Sequence, residues 1–312
     1  MEGRKGVIMP KKELDQIQVS VLIPCYNENK TIAKVIEDFR AQLPFAKIYV
    51  FDNNSSDGSG KIAEQAGSIV IKEKRQGKGF VVDAMLKKVK ADIYVMVDGD
   101  DTYPAEKVGD LLQPILDETA DMVVGKRLTE YTDKAFRPFH VFGNRLVSWS
   151  VNQIFSSKLT DPMSGFRVFT REVALELPVV AFGFEIETEM TLQLLYRRFI
   201  IKEYPVLYRE RPEGSFSKLS TFRDGILVLW KIISIAISYK PLTLFGGAGL
   251  IFVMSGFISG RFAPQYGAIA LSAIFLGVIF GTVGIILHAM NFRLLELTSI
   301  LSKVIYWKDN RE

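Results

Sequence analysis

Apolar and polar positions along the first 220 residues alternate between two kinds of segment. Short runs that are apolar throughout, "VSVLIPCY" (19–26), "KIYVFD" (47–52), "SIVIK" (68–72), "DIYVMVD" (92–98) and "DMVVG" (121–125), have the length and composition of buried strands. Between them lie helical patterns: Ile32, Val35, Ile36 and Phe39 share one face, then come "GKIAEQAG" (60–67), "GFVVDAMLKKV" (79–89) and "KVGDLLQPILDE" (107–118). Uniformly apolar strands separated by helices predict an α/β domain with a mainly parallel sheet covered on both faces. From 143 to 208 the pattern loosens, with helices expected near 144–156 and 185–198 and strands at "FRVFT" and "IIKEYPVLY". There is no internal repeat and no low-complexity linker.

The far end follows a different rule. Residues 241–260 carry no charge, and 262–292 carry none apart from His288. Each stretch is long enough to cross a hydrocarbon core of about 30 Å as a helix, and "LTLFGGAGLIFVMSGFISG" has no polar face to turn toward water. Only "RFAPQYG" separates them, which predicts a hairpin returning the chain to its starting side. Lys231 and Lys240 precede it and Arg293, Lys303, Lys308 and Arg311 follow it, against Arg261 alone in the loop. Positive charge inside then puts both flanks and the N-terminal domain in the cytoplasm, as an integral protein of the cytoplasmic membrane. The expected organisation is a catalytic domain at 1–223, an interfacial amphipathic helix at 224–240, the hairpin at 241–292 and an amphipathic tail at 293–312.

Composition narrows the function classes. With 48% hydrophobic and 24% charged residues the chain is not disordered, and a net charge of +4 with scattered basic residues gives nucleic-acid binding no support. Cys25 is the single cysteine, so no intramolecular disulfide forms. The first residues lack an apolar core of signal-peptide length, so export of the N-terminal domain is not expected.

In such sheets ligands bind beyond the carboxyl ends of the strands, which gathers Asn27-Glu28, Asp52-Asn53 and Asp98-Gly99-Asp100 at one rim. In "VMVDGDDTYP" (95–104), Asp98, Asp100 and Asp101 crowd one turn and repel one another unless something neutralises them. Oxygen ligands from two aspartates suit Mg²⁺ or Mn²⁺, with water and substrate phosphates completing the shell. "DGSGKIAE" lacks the spacing of a Walker loop, which argues against an NTPase.

"VSVLIPCYNE", "VFDNNSSDGS", "QGKGFVVDAM" and "VMVDGDDTYP", in this order, resemble glycosyltransferase family 2, and "VGKRL", "DPMSGFRVF", "GFEIETEM" and "RPEGSFSKLS" extend the resemblance toward its polyprenyl-phosphate branch. That branch includes dolichyl-phosphate mannose synthases and bactoprenol glucosyltransferases. The resemblance covers about residues 18–230 and implies a GT-A (Rossmann-like) fold. It further implies a metal-dependent, inverting transfer of a sugar from a nucleotide diphosphate to a polyprenyl phosphate. UDP-glucose or a UDP-N-acetylhexosamine is favoured as donor over GDP-mannose.

Carried across by motif, Asp98 and Asp100 match the metal-binding and catalytic pair, and Asp161 falls at a position important for activity. Pro24, Tyr26, Glu28, Asp52, Asn53 and Lys78 match the nucleotide pocket, though Asn53 stands where many relatives have aspartate. Arg127, Arg145, Arg211, Ser217 and Lys218 match positions that hold the acceptor phosphate. Thr102 stands where relatives often have glutamine. Three other readings remain. A processive polysaccharide synthase should carry a Q-x-x-R-W signature that Trp149, Trp230 and Trp307 do not provide. A nucleotidylyltransferase should have a glycine-rich loop after the first strand. A non-catalytic membrane scaffold would not need the metal pair. Self-association through the C-terminal helices is left open.

Overall fold

The computed structural model describes residues 17–128, 138–179, 186–211, 233–234 and 237–309, with the backbone alone at 138–142, 264, 295 and 298–309. The chain divides into two compact units, Met1–Leu219 and Ser220–Glu312.

The first unit is built on β1 (Val19–Cys25), α1 (Ile32–Gln42), β2 (Lys47–Asp52), α2 (Ser59–Gln65), β3 (Ile69–Lys72), α3 (Lys78–Lys88) and β4 (Ile93–Met96). Then follow α4 (Val108–Leu116), β5 (Met122–Leu128), α5 (Pro138–Phe155), β6 (Arg167–Thr170), α6 (Arg171–Glu176), α7 (Ile186–Tyr196) and β7 (Ile201–Leu207). The seven strands form one sheet in the order β3-β2-β1-β4-β6-β5-β7.

Because successive strand residues point to opposite faces, the inner strands β1, β2, β4, β5 and β6 feed two cores. Edge strand β3, expected from "SIVIK" to be buried, has no fully buried residue, and β7 at the other edge buries only Val206. Val21, Ile23, Val50, Val95, Val123 and Val168 pack with α1 and α4 on one side. Leu22, Phe51, Tyr94, Met96, Met122 and Phe169 pack with α3, α6 and α7 on the other. Burial on both faces is why these strands read as continuous apolar runs.

The sheet is mixed. β1, β2, β3 and β4 pair in parallel, as do β5 and β7, but β6 lies antiparallel between β4 and β5. This one reversal matters for the site. An antiparallel strand brings its amino end, here the 161–166 loop, to the rim where the parallel strands present their carboxyl ends. The architecture is that of a GT-A-like α/β domain.

In the second unit α8 (Gly247–Phe262) continues a wider turn at Leu242–Gly246, and α9 (Gly267–Asp309) follows a short turn at Pro264–Tyr266. Two segments, Leu242–Phe262 and Gly267–Leu294, are long and apolar enough to cross a membrane, with mean hydropathy 1.8 and 2.5. Their contact is made by glycines: a Cβ on Gly249 would lie 2.6 Å from the Gly277 carbonyl oxygen, and one on Gly256 would lie 2.7 Å from that of Ala270. Backbone thus meets backbone, the close approach that small residues permit in lipid. α9 runs through residue 292 without a break, so the expected tail at 293–312 continues the second span as the same helix up to Asp309. Of the expected interfacial helix at 224–240, only 233–234 and 237–240 are among the described residues.

Candidate active site at the carboxyl rim of the sheet

The rim begins where β1 ends. Asn27 adopts a left-handed conformation (φ 54°), and its Oδ1 accepts from Ser56 N at 2.9 Å. Glu28 N donates to Ser59 Oγ (2.8 Å), and Thr31 Oγ1 donates to the Gly99 carbonyl (2.7 Å). The loop after β1 is thereby stitched to the loops after β2 and β4. Pro24, Tyr26, Glu28 and Asp52 all lie along this edge, Tyr26 exposed and Glu28 and Asp52 buried. Asp52 Oδ1 accepts from Ser55 N (3.0 Å), and Gly60 backs the carboxylate so closely that a Cβ there would lie 2.9 Å from Oδ2.

Asn53 is spent on structure. Its Nδ2 donates to the carbonyls of Glu73 (3.0 Å) and Arg75 (2.7 Å), and its Oδ1 accepts from Gly77 N (2.8 Å). An aspartate could not donate in this way, so the asparagine pins the loop that leads into α3. Gly77, at φ 137°, occupies a conformation that disfavours a side chain.

The three crowded carboxylates after β4 are separated by geometry and by protein cations. Asp101 is left-handed (φ 59°) and turns away to Lys34 Nζ (2.8 Å). Asp100, 3% exposed, accepts from Thr102 Oγ1 (2.6 Å) and pairs through Oδ2 with Arg211 (2.6 Å). Asp98 Oδ1 receives Lys78 Nζ at 2.5 Å. Burial, then the charge of Asp98, pushes the Asp100 carboxyl above its usual range, with Arg211 opposing. Burial disfavours the Lys78 ammonium, but Asp98 and Glu187 outweigh it and hold its pKa well above that of free lysine.

Sequence reasoning did not anticipate Glu187, on α7, as part of this site. It is 3% exposed and in direct contact with Lys78 Nζ. Its signal was "EIETEM": α7 is buried along residues 186–194, and a carboxylate there must find a cation. Arg167, the first residue of β6, is fully buried behind it. It donates to the carbonyls of Ser164 (2.8 Å) and Pro162 (2.7 Å) and to Thr191 Oγ1 (3.0 Å). Burial lowers its pKa to about 10, opposed chiefly by Glu187 and Asp161.

Arg127 and Asp161, expected in separate roles, form one bidentate pair of two 2.7 Å hydrogen bonds. Arg127 N adds a third contact at 3.1 Å, and the guanidinium lies 5.6 Å from the Tyr208 ring centroid. Burial favours the neutral acid, yet Arg127 prevails and holds Asp161 below the ordinary carboxylate range. Such an anion is a poor proton acceptor near neutral pH. Arg145 is exposed on α5 and makes no ion pair among the described residues, while Ser217 and Lys218 lie outside them. Cys25 is buried, and that burial, then Asp52, raises its pKa to about 12.

Among the described residues no group of three or more His, Cys, Asp or Glu side chains forms a ready-made metal site. The donor set nevertheless fits a hard divalent cation that keeps several non-protein ligands: two aspartates on one turn, one buried and electrostatically strained by the other.

Residues 20–177 match the family model described as glycosyl transferase family 2. "Glycosyltransferase AglJ" of Haloferax volcanii is 36% identical over 239 residues, 76% of this chain and 78% of that protein. The "Dolichyl-phosphate hexose transferase" of the same organism is 26% identical over 222 residues, 71% and 95% of the two chains. The fold is shared with glucosyl-3-phosphoglycerate synthase from Mycobacterium tuberculosis, crystallised with Mn²⁺, UDP and glucosyl-3-phosphoglycerate. The TM-score is 0.59 at 21% identity, covering 77% of this chain and 86% of that one. By the extent of the family-model match and of the 36% identical relative, this chain belongs to glycosyl transferase family 2.

Proposed function

We propose that the protein transfers a hexose or N-acetylhexosamine, with inversion, from a UDP-sugar to the phosphate of a polyprenyl phosphate at the cytoplasmic membrane face. One observation carries the reading: two aspartates on one turn at the carboxyl rim, Asp98 and Asp100, belong to a chain that also holds two helices long and apolar enough to span a membrane. The relative that acts on dolichyl phosphate by name, aligned over 95% of its own length, supports the lipid acceptor. The fold neighbour crystallised with Mn²⁺ and UDP supports the donor class and the ion.

The state of Asp161 favours an anionic acceptor over a sugar hydroxyl. A hydroxyl nucleophile needs a general base, and Asp161 is committed to Arg127 with a lowered pKa. A phosphate monoester carries its own charge near neutral pH, its second pKa being about 6. Its oxygen attacks the anomeric carbon as the bond from that carbon to the diphosphate oxygen breaks, and no proton has to leave. Pro24, Tyr26, Glu28 and Asp52 line the edge that would receive the nucleotide. Asp98 and Asp100 would hold Mg²⁺ or Mn²⁺, whose chemistry there would be to offset charge on the leaving diphosphate. Arg145, with Ser217 and Lys218, is assigned to the acceptor phosphate, and Arg211 would join them once a cation takes its place on Asp100. Arg127 would act through Asp161 to shape the loop beside them.

The test is transfer by the purified full chain in bilayers, with a panel of nucleotide sugars and either polyprenyl phosphate or polyprenol. Product from the phosphate only, abolished by EDTA and by Asp98→Asn or Asp100→Asn, is expected. Transfer to polyprenol, or undiminished transfer under chelation, would overturn the proposal.

A further inference from the structure

Asp98 is not alone with Lys78. The lysine is the first residue of α3, set in place by Gly77, whose N–H is held by Asn53 Oδ1. Its ammonium sits between Asp98 Oδ1 and the Glu187 carboxylate, with side-chain exposures of 11% for Lys78, 26% for Asp98 and 4% for Glu187. The three groups come from β4's end, α3 and α7, elements far apart in sequence. Behind Glu187, Arg167 is fully buried, and its charge is stabilised by Glu187.

The charge arithmetic gives Glu187 a task. Lys78 is a buried cation held directly against Asp98, one of the two candidate cation ligands. Without Glu187 the whole charge of Lys78 would fall on Asp98 and compete with a divalent ion for that carboxylate. With Glu187, the lysine is shared and its pull on Asp98 is divided. Asp98 Oδ1 is taken by Lys78, while Oδ2 lies toward the backbone of Gly165, where the absence of a side chain leaves it room.

We propose that Glu187 is a positioning residue for the cation site: by sharing Lys78 with Asp98 it leaves one Asp98 oxygen to the divalent ion. This rests on the reading of Asp98 as a cation ligand and adds to it a carboxylate that never touches the ion.

A double-mutant cycle read by Mn²⁺ alone tests it. Binding of Mn²⁺ to the detergent-solubilised full chain is followed by the electron paramagnetic resonance of the free ion. Wild-type binding that is lost in Asp98→Asn supports the underlying reading, and its absence sinks that reading and this inference together. Given that dependence, Glu187→Gln should weaken Mn²⁺ about tenfold, as expected for a neighbouring charge worth about 1.4 kcal/mol. In a Lys78→Met background the same substitution should change affinity less than about threefold, because its route is gone. Equal losses in both backgrounds, with the Asp98 dependence intact, would assign Glu187 a merely structural role and overturn the inference alone. Should Glu187→Gln fail to fold, Glu187→Asp keeps the charge and shortens its reach. It should weaken Mn²⁺ about threefold, and unchanged affinity there would also overturn the inference.

Discussion

Gly165 stands directly behind Asp98: a Cβ added to the glycine would lie 2.3 Å from Asp98 Oδ2 and 2.9 Å from its Cγ. The contact joins the amino end of antiparallel β6 to the carboxyl end of β4. The Gly165 amide is itself fixed by the Tyr103 hydroxyl at 3.0 Å. The glycine backbone cannot yield easily, so the carboxylate must move if a side chain appears.

Gly165→Ala is therefore expected to cut kcat/KM by about a hundredfold, the cost of misplacing a catalytic group by about 1 Å. Initial rates with the native donor check this, alongside thermal unfolding to show that the fold survives. Activity within about threefold of wild type would mean that the Asp98 rotamer is not critical.

The Arg127–Asp161 pair yields a second prediction. Both side chains are mostly buried, and removing one charge strands the other. Asp161→Asn should lower stability by about 3 kcal/mol in denaturant titrations. A group acting as a base would behave differently, losing kcat with no change in stability.

Acid should act on the same pair. The Asp161 pKa is depressed in the fold, so its contribution is complete above the unfolded value of about 3.9 and is lost as pH falls through the folded one. Glu73, held near pKa 2 by its hydrogen bonds and ion pair with Arg75, behaves the same way between about 4.5 and 2. Stability measured against pH should be level from 7 to about 5 on these accounts and fall below about 4.5, with a shallower fall in Asp161→Asn. Activity should decline earlier, about tenfold per pH unit below about 6, as the acceptor phosphate takes a proton.

Topology is tested by cysteine labelling. Cys25 is buried and its thiol is pushed up to about 12, so it should be nearly inert in the native chain. A Gln265→Cys variant, placed in the exposed turn between α8 and α9, should react with an impermeant reagent added outside intact cells. Reaction only after permeabilisation would show that the two helices do not cross as a hairpin.

Much of this protein was legible in the chain itself, because local rules govern it. Strands buried on both faces must be apolar throughout, amphipathic helices must carry their 3.6-residue stripe, and two uncharged runs of bilayer length leave little freedom. The same rules put Glu28, Asp52, Asp98 and Asp100 at strand ends. The partners of those residues were not legible. The reversal of β6 brings Gly165 and Asp161 to the rim, and it follows from pairing across the sheet rather than from any pattern within "FRVFT". Lys78, Glu187 and Asp98 meet because α3 and α7 pack on one face of that sheet, so the electrostatics of the rim depend on contacts between residues 20 and 109 positions apart. Residue type and spacing announce a carboxylate's chemistry. Which cation answers it is decided only when the low-dielectric interior forces every buried charge to find a partner.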